Sequence, residues 1–232
     1  MNMKIIAAGV LSLLVVGSAR AEGARKSLRG FAVGVQVGYI TQNSKMHQNF
    51  LTSLKLKQNK SISGDGLIGG VNFSYGDIIS KYMFLGYEVK GDMSTLSGKQ
   101  SEGNSNAAPR IKSDLKMKIS VGGAVRVGLL DSAVLPYLKL GTLVSEWRSR
   151  SIILNSTTPG GGSKKKWLPG LELGLGVDYP LTYNVAMSAE FIHVEYTKLS
   201  YMTTSGVTTQ YMKASFKPRT NGLMFRLRYR IC

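Results

Sequence analysis

Eight segments of the chain alternate apolar residues with small or polar ones at a period of two, which predicts eight β-strands. They fall at about 30–41, 66–75, 83–93, 114–127, 135–146, 170–179, 185–196 and 223–231. In the last, Leu223, Phe225, Leu227, Tyr229 and Ile231 occupy one face while Arg226, Arg228 and Arg230 occupy the other. The fourth sets Leu115, Met117, Ile119, Val121, Val125 and Val127 against Asp114, Lys116, Lys118, Ser120 and Arg126. The connections alternate short and long. The long ones, at about 42–65, 94–113, 147–169 and 197–221, are polar and rich in Gly, Ser and Thr. Helical periodicity is absent after the N-terminal segment.

A greasy face opposite a charged face separates two media, and two architectures do this. In a secreted β-sandwich the greasy faces meet in a core and the charged faces meet water. In a membrane barrel the greasy faces meet lipid and the charged faces line a lumen. Three features favour the barrel. The polar faces are rich in glycine (Gly34, Gly38, Gly70, Gly86, Gly122, Gly174 and Gly176), which weakens an exposed strand but makes room for large neighbours in a narrow lumen. Their charges come close to balance, as a low-dielectric interior requires. There are six acids, Glu88, Asp92, Asp114, Glu172, Asp178 and Glu190, and eight bases, Lys90, Lys116, Lys118, Arg126, Lys139, Arg226, Arg228 and Arg230. Finally, Phe31, Tyr39, Tyr75, Tyr179 and Tyr229 lie at strand ends, where interfacial girdles sit. The expectation is an all-β, eight-stranded, antiparallel up-and-down transmembrane barrel. Eight strands enclose a space that side chains just fill, so the fourteen charges predict a salt-bridge network.

The N-terminus reads as a signal peptide: Lys4, an apolar stretch from Ile5 to Val16, and a small-x-small cleavage site at Ala19-Arg20-Ala21. Residues 1–21 are expected to be removed, leaving 22–232 as one barrel domain. Cys232, the single cysteine, excludes an internal disulfide. The net charge of +17 predicts anionic partners, and export argues against nucleic acid. The interiors of the long connections hold sixteen bases and one acid, Glu102. Lys55, Lys57, Lys60, Arg148, Arg150, Lys164, Lys165 and Lys166 are the candidate basic surface. Outer-membrane lipid, lipopolysaccharide phosphates and host or environmental anionic glycans are its expected partners.

Three segments carry a resemblance: 121–128 (VGGAVRVG) leading to Leu135-Pro136-Tyr137; 177–184 (VDYPLTYN) followed by Ala189-Glu190-Phe191; and 227–231 (LRYRI). Together they resemble the small outer-membrane β-barrels of the outer-membrane protein A-like class, especially the porin-like surface antigens. The resemblance implies a Gram-negative outer membrane, insertion by the barrel assembly machinery, and a structural or surface-antigen role. The family's usual final aromatic is replaced here by Ile231 and Cys232, with Tyr229 keeping the penultimate one.

Candidate chemistry is sparse. The two histidines are His47 and His193. His193 with Glu195 and either Ser188 or Ser200 would suit a lipid A-modifying hydrolase, though the surrounding motif of such enzymes is missing. Trp147 and Trp167 flank the third long connection and are expected at the upper membrane interface. No metal-ligand cluster or cofactor motif is present. The leading expectation is therefore a non-enzymatic barrel supporting membrane integrity, with adhesion through its basic loops. A narrow diffusion channel is the alternative, and a lipid A-modifying enzyme a weaker one.

Overall fold

The computed structural model describes residues 28–50, 57–102, 110–130, 134–154, 160–204 and 211–231. The expected signal peptide, Lys55 and Cys232 lie outside them, and so do the side chains of His47, Lys57, Lys60 and Ser200. Eleven strands form: β1 (Gly30–Phe50), β2 (Lys57–Ser80), β3 (Met83–Ser94), β4 (Ser97–Glu102), β5 (Arg110–Leu129), β6 (Leu135–Leu154), β7 (Gly160–Pro180), β8 (Val185–Tyr196), β9 (Leu199–Thr204), β10 (Tyr211–Lys217) and β11 (Arg219–Arg230).

These make eight staves, because three staves are interrupted. β3 and β4 both pair with β5. Pro218, which has no N–H to give a ladder, separates β10 from β11, and its carbonyl accepts the Tyr196 N–H at 3.1 Å. Residues 197–198 separate β8 from β9. Every described pairing is antiparallel, and β11 returns to β1 through Ala32↔Arg230 to Gln42↔Thr220, which closes the ring.

The expected facing holds along the lower half of every stave. Phe31, Val35, Val37, Leu67, Phe73, Tyr87, Val89, Leu138, Leu173, Leu175, Phe225 and Tyr229 point outward and are exposed. Opposite them, large inward side chains sit over glycines. A Cβ on Gly176 would meet the Tyr137 ring at 2.6 Å, and one on Gly76 would meet Phe84 at 2.6 Å. That close approach is why the inward faces alternate bulk with glycine.

Two expectations are overturned. First, the long connections continue the ladder. β6 and β7 stay paired from Leu135↔Asp178 to Ile153↔Gly160, and β1 and β2 from Gly30↔Gly76 to Asn49↔Lys57. Backbone pairing needs no apolar outer face, so the barrel wall rises beyond the lipid-facing band, where described outward side chains such as Thr41, Asn43, Arg148 and Arg150 are polar.

Second, the register of β5 against β6 shifts between Met117 and Ser120. A bulge places one extra residue on one strand and so exchanges the two faces beyond it. Leu115 and Met117 therefore point inward and are buried, while Lys116 and Lys118 point outward and are exposed. Asp114, opposite Arg150, shares that outer face. Asp114, Lys116 and Lys118 are thus not lumen residues.

Candidate functional site: a sealed lumen and a basic collar

The lumen is stacked in three layers. At the periplasmic mouth Leu28, Phe84 and Leu135 pack together. Above them lies the ionic layer, whose charged side chains come from alternate positions of six staves. Arg226 donates from Nη1 and Nη2 to the two carboxylate oxygens of Glu190, both at 2.8 Å, and from Nε to Gln36 Oε1 at 2.7 Å. Tyr137 Oη donates to Glu190 at 2.7 Å. Lys139 Nζ stands 2.6 Å from Glu190, 2.6 Å from Glu172 and 3.3 Å from Glu88. Lys90 meets Glu172 at 2.6 Å, and Asp92 accepts from Gln36. Arg126 stacks 5.3 Å from the Tyr137 ring centre and meets Asp178 at 3.4 Å. Arg228 also meets Asp178.

Arg230 ends that row at the periplasmic rim, where it donates to Asn184 at 3.1 Å. It belongs to the mouth rather than to the buried layer. Without Asp114 the six expected acids become five. Without Lys116, Lys118 and Arg230 the eight expected bases also become five. The layer built by Glu88, Asp92, Glu172, Asp178, Glu190, Lys90, Arg126, Lys139, Arg226 and Arg228 is thus neutral in formal charge, and every one of these residues is buried.

The third layer is not visible in the sequence pattern. Fourteen buried apolar residues, among them Ile40, Leu115, Met117, Trp147, Leu168, Tyr196 and Phe216, fill the upper lumen. Trp147 is 0% exposed and meets Tyr196 edge-on at 5.1 Å. Only Trp167, at 46% exposure, takes the expected outward place. The inward apolar positions of the upper staves are the signal for this layer, but there the pattern reads as polar loop.

Around this upper lumen runs a collar of outward charges. Glu146 bridges Arg148 and Lys165, each at 2.9 Å. Glu195 meets Arg219 at 3.0 Å and Lys217 at 3.3 Å. Arg150 is exposed on the same outer face of the β6–β7 ribbon, and Lys164 and Lys166, opposite Ser149 and Trp147, are exposed on its other face.

The hydrolase geometry is not assembled with Ser188, and the Ser200 side chain lies outside the described residues. His193 and Glu195 do share the outer face, with Nε2 3.9 Å from Oε1, and His193 Nδ1 is 2.7 Å from Asn221 Oδ1. Ser188, however, lies inside the lumen and accepts from Arg228 at 3.1 Å. Serine and histidine are thus on opposite sides of the wall, because their separation of five residues is odd. Among the described residues no group of side chains could hold a metal ion.

The outer membrane protein beta-barrel domain family model matches residues 8–230. The chain belongs to that family. It is a bacterial outer-membrane barrel. Its fold is similar to OprG of Pseudomonas aeruginosa, with a TM-score of 0.57 at 14% identity over 88% of this chain and 99% of that one. It is also similar to the outer membrane protease OmpT of Escherichia coli, with a TM-score of 0.53 at 10% identity over 88% of this chain and 97% of that one. No curated protein matches the chain.

Proposed function

We propose that the protein is a closed, non-enzymatic structural barrel that supports outer-membrane integrity and presents a basic surface to anionic partners outside the cell. The observation that carries this reading is the three-layer lumen. A permeating ion or solute would have to push through an apolar layer at each end and a paired ionic layer between them, and an unpaired buried charge costs several kcal/mol. In planar bilayers the folded protein is expected to show no stable openings. Stable, reproducible conductance steps would replace this reading with that of a narrow diffusion channel.

The exposed cations of the β6–β7 ribbon, Arg148, Arg150, Lys164, Lys165 and Lys166, support adhesion to anionic ligands as a second role. Cells displaying the protein are expected to bind immobilised sulfated glycan in a salt-sensitive manner. Equal retention by cells lacking it would remove that role. The barrel assembly machinery is the partner expected to insert the chain, reading the closing strand that carries Tyr229 and Ile231.

A further inference from the structure

The outer face of β5, β6 and β7 carries an arrangement that is unfavourable as it stands. Lys116 pairs in register with Arg148, and Arg148 pairs in register with Lys165. Like charges directly opposite one another on neighbouring strands repel. Glu146 is the carboxylate within this row and is shared between Arg148 and Lys165. Lys118 adds a fourth exposed cation from the bulge. Four bases against one acid leave three positive charges on a narrow strip of wall. Above the strip, Asp114 stands in register between Arg150 of β6 and Lys99 of β4.

The strip has a definite height and side. Arg148 lies four residues beyond Val144, the last outward apolar residue of β6 among the described side chains, so it stands roughly 13 Å along the strand from it. That places the cations at the level of lipid headgroups. Beneath them the wall is hollowed by an open groove of about 990 Å³ that runs from the apolar Val121, Val144 and Leu171 to the polar side chains of His193, Glu195 and Lys217. At the same level the described side chains of β1 and β2 present Thr41, Asn43, Ser63 and Asp65. On the far flank of the wall Lys198, Lys217 and Arg219 are exposed around Glu195, so the cations are set away from the described side chains of β1 and β2.

We propose that this strip is a binding site for a phosphorylated lipid of the outer leaflet, with its phosphates on Lys116, Lys118, Arg148 and Lys165 and an acyl chain in the groove below. This rests on the reading of an anion-facing structural barrel and names the partner and the residues. The bulge in β5 then has a role: it carries two lysines out of the lumen and onto the site.

The test uses the full mature chain in phosphatidylcholine nanodiscs containing a minor fraction of diphosphoryl lipid A, with lipid A retention titrated by competition. Lys116→Gln with Lys118→Gln is expected to weaken retention on the order of tenfold. Lys164→Gln with Lys166→Gln removes the same charge from positions opposite Ser149 and Trp147, on the other face of the ribbon, and is expected to change it less than twofold. Glu146→Gln, which frees Arg148 and Lys165, is expected to tighten it severalfold. Heat-modifiable gel migration confirms that each variant is folded.

Equal losses in the two lysine pairs would overturn the site in favour of general surface charge. Unchanged retention of dephosphorylated lipid A would overturn it in favour of acyl packing alone. Free inorganic phosphate that displaces the lipid at millimolar concentration would overturn the lipid as occupant. Bilayer conductance of the Lys116/Lys118 variant is expected to stay closed, so failure of this site and failure of the sealed-barrel reading are separately visible.

Discussion

Replacing Arg226 by alanine tests the ionic layer most directly. The guanidinium makes two parallel 2.8 Å contacts with Glu190, one 2.7 Å contact with Gln36 and one 3.3 Å contact with Glu88. Its side chain is buried, as are those of both glutamates. Its loss leaves four bases facing five acids in a space closed by apolar layers on both sides. Glu190 keeps Lys139 and Tyr137, and Glu88 keeps Lys139 and Arg126, so the remaining contacts soften the loss without restoring neutrality. Breaking a buried pair from one side costs about 3–5 kcal/mol. Removing both partners with shape-conserving groups, Arg226→Met with Glu190→Gln, restores neutrality and is expected to recover half or more of that cost. The assay is urea unfolding in detergent micelles, followed by heat-modifiable migration and by tryptophan emission. Wild type, Arg226→Met, Glu190→Gln and the double variant form a double-mutant cycle. An Arg226→Ala midpoint equal to wild type would refute a dry, paired layer. A double variant as unstable as the sum of its single variants would refute the claim that neutrality is what matters.

Other consequences are independent of that cycle. With Lys116→Cys and Met117→Cys made separately, a membrane-impermeant maleimide applied to intact cells is expected to label the first and spare the second. The reverse pattern would remove the bulge and return Lys116 to the lumen. Trp147→Ala is expected to cost about 3–5 kcal/mol by opening a cavity in the upper lumen, whereas the same change at Trp167 costs under about 1 kcal/mol. Comparable losses in urea unfolding would place both rings at the interface. Gly176→Val is expected to destabilise the barrel by about 1–3 kcal/mol, because the Tyr137 ring occupies the space a side chain would need. A neutral result would mean the ring moves freely.

Much of the barrel is legible because period-two alternation reports the medium on each side of a strand. Where the wall is wetted by lipid, as along Phe31 to Tyr39 or Leu223 to Ile231, the alternation and the facing agree. Higher up, water replaces lipid outside while the lumen becomes apolar, so the meaning of an apolar residue reverses. On β6 this reversal breaks the pattern at Ser145-Glu146-Trp147, and the ribbon beyond it reads as a loop. Leu168 and Phe216 are hidden for the same reason: single apolar residues in polar surroundings signal little until a partner strand brings them together with Ile40 and Leu115. Of the hydrolase alternative, the version that uses Ser188 fails on parity, since Ser188 and His193 differ by an odd number of positions.

β5 hides its reversal completely, and the reason is arithmetic. Passing from lipid to water changes which residue type faces outward, and the bulge between Met117 and Ser120 changes which positions face outward. Two inversions at one height cancel, leaving an unbroken alternation from Asp114 to Val127 whose upper half points the opposite way from its lower half. The charge count holds the clue. Eight bases against six acids cannot be buried together at low dielectric, and a layer with no net charge requires two more bases than acids to be elsewhere. The structure moves Lys116, Lys118, Arg230 and Asp114 out. Neutrality of a closed interior is therefore a stronger constraint on this chain than its hydrophobic period, and it selects the bulged register of β5 over the regular one, which would bring Lys116 and Lys118 into the lumen.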